Sequence, residues 1–183
     1  MGLGNPGPEH EGTRHNLGAE VVDLLARRHG TRLKKGRERA LVAEARVDDR
    51  LLALAFPQTY MNLSGESVGR LVRRYGIGDD FARLVVIHDE LDLPPGRVKV
   101  KVGGGIAGHN GLQSVRAHLR SADFVRVRVG IGKPPGRQEG ADYVLRRPPK
   151  GERTELDVAV EEAADAVETI LSEGPEVAMN RFN

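Results

Sequence analysis

Histidine and asparagine are the side chains whose types and spacing in this chain could do chemistry. Only six asparagines occur in 183 residues, and four of them, Asn5, Asn16, Asn62 and Asn110, sit in short cassettes crowded with Gly, Pro, His or Ser. The cassettes read GLGNPG at 2–7, TRHNLG at 13–18, YMNLSG at 60–65 and GHNGL at 108–112, and a fifth, HDELDLPPG at 88–96, adds carboxylates. A neutral carboxamide offers both a donor and an acceptor, the right chemistry for holding a carbonyl or a water. His15 and His109 each precede one of these asparagines, with glycine near. The combination suggests an active site.

Nucleophiles are scarce. There is no cysteine, and Ser64 lies in LSG, outside any G-x-S-x-G elbow, so it reads as the N-cap of a helix. A water activated by histidine is then the economical mechanism. His15, His88 and His109 stand inside cassettes, whereas His29 and His118 lie within or at the ends of helices and read as surface residues.

The same residues fit two other chemistries poorly. GLGNPG matches the dinucleotide fingerprint G-x-G-x-x-G, but only Met1 precedes it and the nearest acidic candidate, Asp23, falls in a helix, so the strand and ribose-binding acid are missing. HDELD with His109 has ligand types for a metal, yet neither H-E-x-x-H spacing nor an EF-hand pattern occurs, and Glu90 and Asp92 read as helix caps or partners of surface arginines. No metal and no cofactor is expected.

Positioning these groups falls to a mixed set of elements. Leu17, Val21, Leu24 and Leu25 recur at helical spacing through 14–29, ending at Gly30. Residues 40–47 and 51–56 read as a hairpin, and a helix carrying Val68, Leu71 and Val72 follows Ser64. Residues 84–87 form a buried strand that delivers His88 and Asp89. Residues 97–102 and 125–129 alternate, placing Arg97, Lys99 and Lys101, and Arg126 and Arg128, each on one strand face. A Gly-, Pro- and Arg-rich stretch at 133–150 reads as a mobile lid with one short helix, and 152–173 as an amphipathic helix with Leu156, Val160, Ala163, Val167, Ile170 and Leu171 inward. The expected architecture is a single α/β domain over 1–183, a mixed β-sheet flanked by helices.

Composition agrees. The chain is long enough for one core, lacks disulfides and has no apolar run long enough for a membrane span or a signal peptide, so a soluble intracellular protein is expected. The net charge of +2 hides an asymmetry: residues 1–150 carry 26 Lys or Arg against 17 Asp or Glu, while 151–183 carry 2 against 9. A basic body with two basic strand faces fits a polyanion such as nucleic acid. Aromatic residues make up only 4%, which favours recognition by shape and phosphate over base stacking.

Taken together, GLGNPG with TRHN, PQTYMNLSG, HDELDLP, GGGIAGHNGL and DFVRVRVGIG resemble the bacterial peptidyl-tRNA hydrolase family, in the family's order and over nearly the whole chain. The resemblance implies a three-layer fold and a cytosolic, monomeric, metal-free enzyme that hydrolyses the ester joining a peptide to the terminal ribose of tRNA. It makes His15 the general base, Asp89 the carboxylate that orients it, and Asn110 the group that positions the water or steadies the oxyanion. It places Asn5 and Asn62 on the peptide and the tRNA 3′ end, with Tyr60 and Met61 beside them and Met61 in the apolar floor. It also makes Lys101 and Arg128 a clamp for the 5′ phosphate of the acceptor stem, widened by Lys99 and Arg126. Asn16 is left to hold its loop.

Two departures from the family accompany the likeness. The family has a β-strand ahead of GLGNPG where this chain has only Met1, so either the true start lies upstream or the sheet that positions Asn5 is short of a central strand; and His10 stands where the family often has tyrosine. A rival reading is an RNA-binding protein on the same fold without activity. The joint presence of His15, Asp89 and Asn110 favours the enzyme.

Overall fold

In the computed structural model, which describes residues 1–183, the chain runs α1 (Leu17–Arg28), β1 (Lys34–Lys35), β2 (Ala40–Val47), β3 (Arg50–Pro57), α2 (Ser64–Arg74), β4 (Val85–Glu90), β5 (Val98–Val102), α3 (Asn110–Leu119), β6 (Val125–Gly130), α4 (Gly140–Val144), α5 (Lys150–Glu173) and α6 (Pro175–Phe182). The strands form two antiparallel or mixed groups, β1-β2-β3 and β4-β6-β5, with β4 and β6 parallel and β5 antiparallel at the edge. The β2–β3 hairpin turns on Asp48 and Asp49, whose φ values of 48° and 65° match a two-residue turn between the paired Val47 and Arg50.

Met1 to Leu3 join the two groups. Gly2 N donates to Ala55 O on β3 at 2.9 Å, while Leu3 N donates to Ile87 O at 3.0 Å and Ile87 N to Met1 O at 2.8 Å on β4. The Met1 ammonium donates to Val85 O at 2.7 Å. Met1 to Leu3 thus bridge β3 and β4. Below them the gap between β3 and β4 continues as an apolar groove of about 630 Å³, lined by Leu52, Leu54, Leu71, Leu84 and Ile170 among others. Glycine is required at both Gly2 and Gly18, because a Cβ on Gly2 would lie 1.9 Å from the Gly18 carbonyl oxygen and one on Gly18 would lie 2.3 Å from the Ile87 carbonyl oxygen. This close approach sets Asn5 above the start of α1.

The inner faces of the strands are apolar, as their alternation requires. Ile87, Val125, Val127 and Val129 pack against Leu17, Val21, Leu25, Leu156 and Ala163 of α1 and α5. On the other side Val86 and Phe124 pack with Leu3, Met61, Leu112 and Val115, beneath α2 and α3. The result is a single α/β domain with mixed sheets between helices, as expected. No helix is long and apolar enough to cross a membrane.

Local departures from the sequence reading have physical causes. The first helix starts at Leu17, since residues Arg14–Asn16 form a 3-10 turn. Ser64 is already inside α2 and is not its N-cap; its Oγ donates to the Met61 carbonyl at 2.7 Å. His88 and Asp89 lie within β4, extending the expected strand by three residues. The helix α6 and the short β1 had no counterpart in the sequence reading. The stretch expected as a lid does hold one short helix, α4.

Candidate active site

Asp89 is the centre of the site. It lies near the carboxyl end of the parallel strand β4, where open α/β sheets place their ligands, and is 2% exposed. Both of its carboxylate oxygens lie 2.9 Å from His15 Nδ1, and Oδ1 lies 3.0 Å from His109 Nε2. His15 comes from the 3-10 turn ahead of α1, and His109 is the N-cap of α3. Three distant segments thus converge on one carboxylate.

The protonation pattern follows from the backbone. His109 Nδ1 accepts the N–H groups of Gly111 at 3.1 Å and Leu112 at 3.3 Å, so its proton sits on Nε2 and is donated to Asp89. Asp89 as a carboxylate only accepts, so His15 donates Nδ1–H and keeps a lone pair on Nε2. Burial alone would lower the His15 pKa, but the charge and hydrogen bond of Asp89 outweigh it and leave the value raised. Burial alone would raise that of Asp89, but the two imidazoles hold it well below the usual carboxylate range. His88 behaves differently. Burial first, and then the neighbouring His109, lower its pKa to about 3, and its Nδ1 contacts the Asp89 carbonyl at 2.7 Å.

The amides divide into held and free groups. Asn16 grips the main chain of Asn5 from both sides, accepting from Asn5 N and donating to Asn5 O, each at 2.9 Å. Asn16 therefore holds the loop, as expected. The Asn5 side-chain oxygen in turn accepts from Met61 N at 2.7 Å, tying GLGNPG to YMNLSG and leaving its NH₂ group unclaimed. Met61 is buried, and its sulfur lies against Gly111, where an added Cβ would come within 2.4 Å. Tyr60, Asn62 and Asn110 are exposed. Asn110 opens α3 immediately after His109.

Comparison with known proteins matches this arrangement along its whole length. A family model described as peptidyl-tRNA hydrolase matches residues 1–183. The chain belongs to the peptidyl-tRNA hydrolase family. It is 50% identical to the peptidyl-tRNA hydrolase of Cutibacterium acnes and 52% identical to that of Frankia alni, with all of this chain and 96% and 92% of those proteins covered. The crystal structure of peptidyl-tRNA hydrolase from Acinetobacter baumannii superposes with a TM-score of 0.92 at 36% identity, covering 100% of this chain and 92% of that one.

On this member of the peptidyl-tRNA hydrolase family the four basic residues singled out on the strands share one sheet face but differ in environment. Lys99 pairs across the sheet with Arg128, and Lys101 with Arg126. Lys99 and Lys101 are half-buried and free of ion pairs, the latter with its ammonium beside Gly104. Arg128 Nε donates to Glu90 at 3.1 Å. Arg126 is 1% exposed, and its Nη2 donates to the carbonyls of Gly103 at 2.7 Å and Gly105 at 2.9 Å. It holds the glycine loop from beneath. His10 is half-buried and lies 3.8 Å from Glu9.

His15, Asp89 and His109 also present ligand atoms within 4.8 Å of one another, a set of types that could bind a metal. The hydrogen bonds already use that set. His109 directs an N–H, not a lone pair, toward Asp89, and its other nitrogen is committed to α3. The sequence reading held His109 as a cassette residue and assigned it no part beside His15. The signal was present: a residue before Asn-Gly at a helix start is a capping position, and a capping histidine has its tautomer fixed.

Proposed function

We propose that this protein hydrolyses the ester bond of peptidyl-tRNA, releasing the peptide as a carboxylate and the tRNA with a free terminal ribose hydroxyl. The observation that carries this reading is the free Nε2 of His15 opposite an Nδ1 held by Asp89. That nitrogen takes a proton from a water as the water oxygen attacks the ester carbonyl carbon. The resulting imidazolium is stabilised by the buried Asp89 carboxylate and returns the proton to the departing ribose oxygen. General-base help of this kind is worth ~10²- to 10⁴-fold in rate. Asn110 donates to the water or the developing oxyanion, a contact worth on the order of 3 kcal/mol in comparable sites.

Asn5 and Asn62 hold the peptide main chain and the tRNA 3′ end, over Met61 and beside Tyr60. Amide recognition of main-chain groups explains acceptance of any peptide sequence and preference for an N-blocked acyl group over a charged amine. Lys101 and Arg128 hold the 5′ phosphate of the acceptor stem, and Lys99 extends this surface. The reaction uses water and protein groups alone, and the protein works as a monomer in the cytoplasm, where its substrate forms, with residues 133–150 closing over the cleft.

The test is release of N-acetylamino acid from N-acetylaminoacyl-tRNA in the presence of chelator, by wild type and His15→Ala. Wild type is expected to cleave, and the variant to lose at least ~10²-fold. Equal cleavage by both would remove His15 from the mechanism.

A further inference from the structure

Arg14, the residue before His15, is a charged side chain 5% exposed whose contacts lie far along the chain. Its guanidinium makes a forked bond to Glu152, Nε to Oε1 at 2.6 Å and Nη2 to Oε2 at 2.8 Å. Nη1 donates to the carbonyls of Tyr143 and Arg146, each at 3.3 Å, and the guanidinium carbon lies 4.0 Å from the Tyr143 ring centroid. The Arg14 backbone N–H also donates to Arg146 O. Tyr143 is itself fixed, since its hydroxyl donates to Ile131 O at 2.9 Å just beyond β6. Arg147 completes the contact from the other side, donating to Glu11 O at 2.8 Å and Pro8 O at 3.3 Å.

The segment that connects β6 to α5 is thus fastened to the loop that carries the histidine. Residues 8–16 and 143–152 behave as one clasp, with Arg14 at its centre. Asp89 holds the His15 ring at Nδ1, but the main chain beneath that ring is held by the clasp. A planar fork with two carboxylate bonds, two carbonyl acceptors and an aromatic face cannot be reproduced by lysine.

We propose that Arg14, through Glu152 and the Tyr143 and Arg146 carbonyls, is a positioning residue for His15, and that it couples the 133–149 segment to the histidine. The proposal rests on His15 being the general base. Arg14 acts through the backbone: the groups that set the His15 pKa are its burial and Asp89, and Arg14 is not among them. Displacement of a catalytic group by about 1 Å costs ~10²-fold in rate, which sets the scale of the effect.

The experiment measures single-turnover cleavage of N-acetylaminoacyl-tRNA, binding of free tRNA, and the pH profile for wild type, Arg14→Lys, Arg14→Ala, Glu152→Gln and His15→Ala. The expected result is a fall of ~10- to 100-fold in the cleavage rate for Arg14→Lys and Arg14→Ala. Glu152→Gln, which keeps one acceptor, falls between them and wild type. In Arg14→Lys, which keeps the charge, affinity for free tRNA changes less than about twofold and the acidic limb of the profile stays in place, as expected for a change of position without a change of charge. If Arg14→Ala does not fold, Arg14→Lys and Glu152→Gln decide. A folded Arg14→Lys with the wild-type rate overturns the proposal, and so does a rate loss in Arg14→Lys accompanied by a shifted acidic limb. Undiminished cleavage by His15→Ala would instead overturn the general-base reading.

Discussion

His109 donates its Nε2–H to Asp89 at 3.0 Å, on the same oxygen that lies 2.9 Å from His15 Nδ1. The carboxylate is therefore held in two directions, by His109 and by the proposed general base His15. The same His109 ring caps α3 through Nδ1, so a helix end and an active-site carboxylate are tied by one imidazole.

Replacing His109 separates these two duties. Asparagine is a strong N-cap, so His109→Asn should keep most of the stability of α3, whereas His109→Ala should lose ~1 kcal/mol with the cap. Both lose the bond to Asp89, and both should lose ~10-fold in kcat, in line with removal of one supporting hydrogen bond to a charged group. Thermal melts and steady-state kinetics on the two variants check this. Full activity in a stable His109→Asn would show that Asp89 needs only His15.

The Asp89 contact also sets the pH response. A raised His15 pKa means the base is neutralised by protonation from above 6.5 downward, so activity should fall on the acid side at a pH above that of a free imidazole. Protonation of His15 affects the fold in the opposite sense: its contribution is present below the unfolded pKa of 6.5 and is lost as pH rises through the folded value. Asp89→Asn should shift the acidic limb of kcat/KM to lower pH while reducing its plateau. An unshifted limb in that variant would mean that another group reports the titration.

How far the sequence could be read follows from which signals are local. The β2–β3 hairpin, the valine faces of β5 and β6, and the apolar stripe of α5 are written in their periods, and each formed within a few residues of the expected bounds. His15, Asp89 and Asn110 were marked by their cassettes. What those signals lack is partner identity. Arg126 and Lys101 alternate alike along their strands, yet one is buried beneath the Gly103 and Gly105 carbonyls and the other reaches the surface, because Arg126 is on the central strand β6 and Lys101 on the edge. The fork from Arg14 to Glu152 spans 138 positions and leaves no local trace.

That difference between the strand cations is measurable. Lys101→Ala and Arg128→Ala should weaken tRNA binding, most at low salt, and each should flatten the salt dependence by about one phosphate contact. Arg126→Ala should act mainly through the fold, since it frees the buried Gly103 carbonyl, at ~1–3 kcal/mol, and loses a part-buried bond to Gly105. Titrations of tRNA binding at several salt concentrations, with melts of all three variants, distinguish the two. A salt slope unchanged in Lys101→Ala and Arg128→Ala would remove the phosphate clamp.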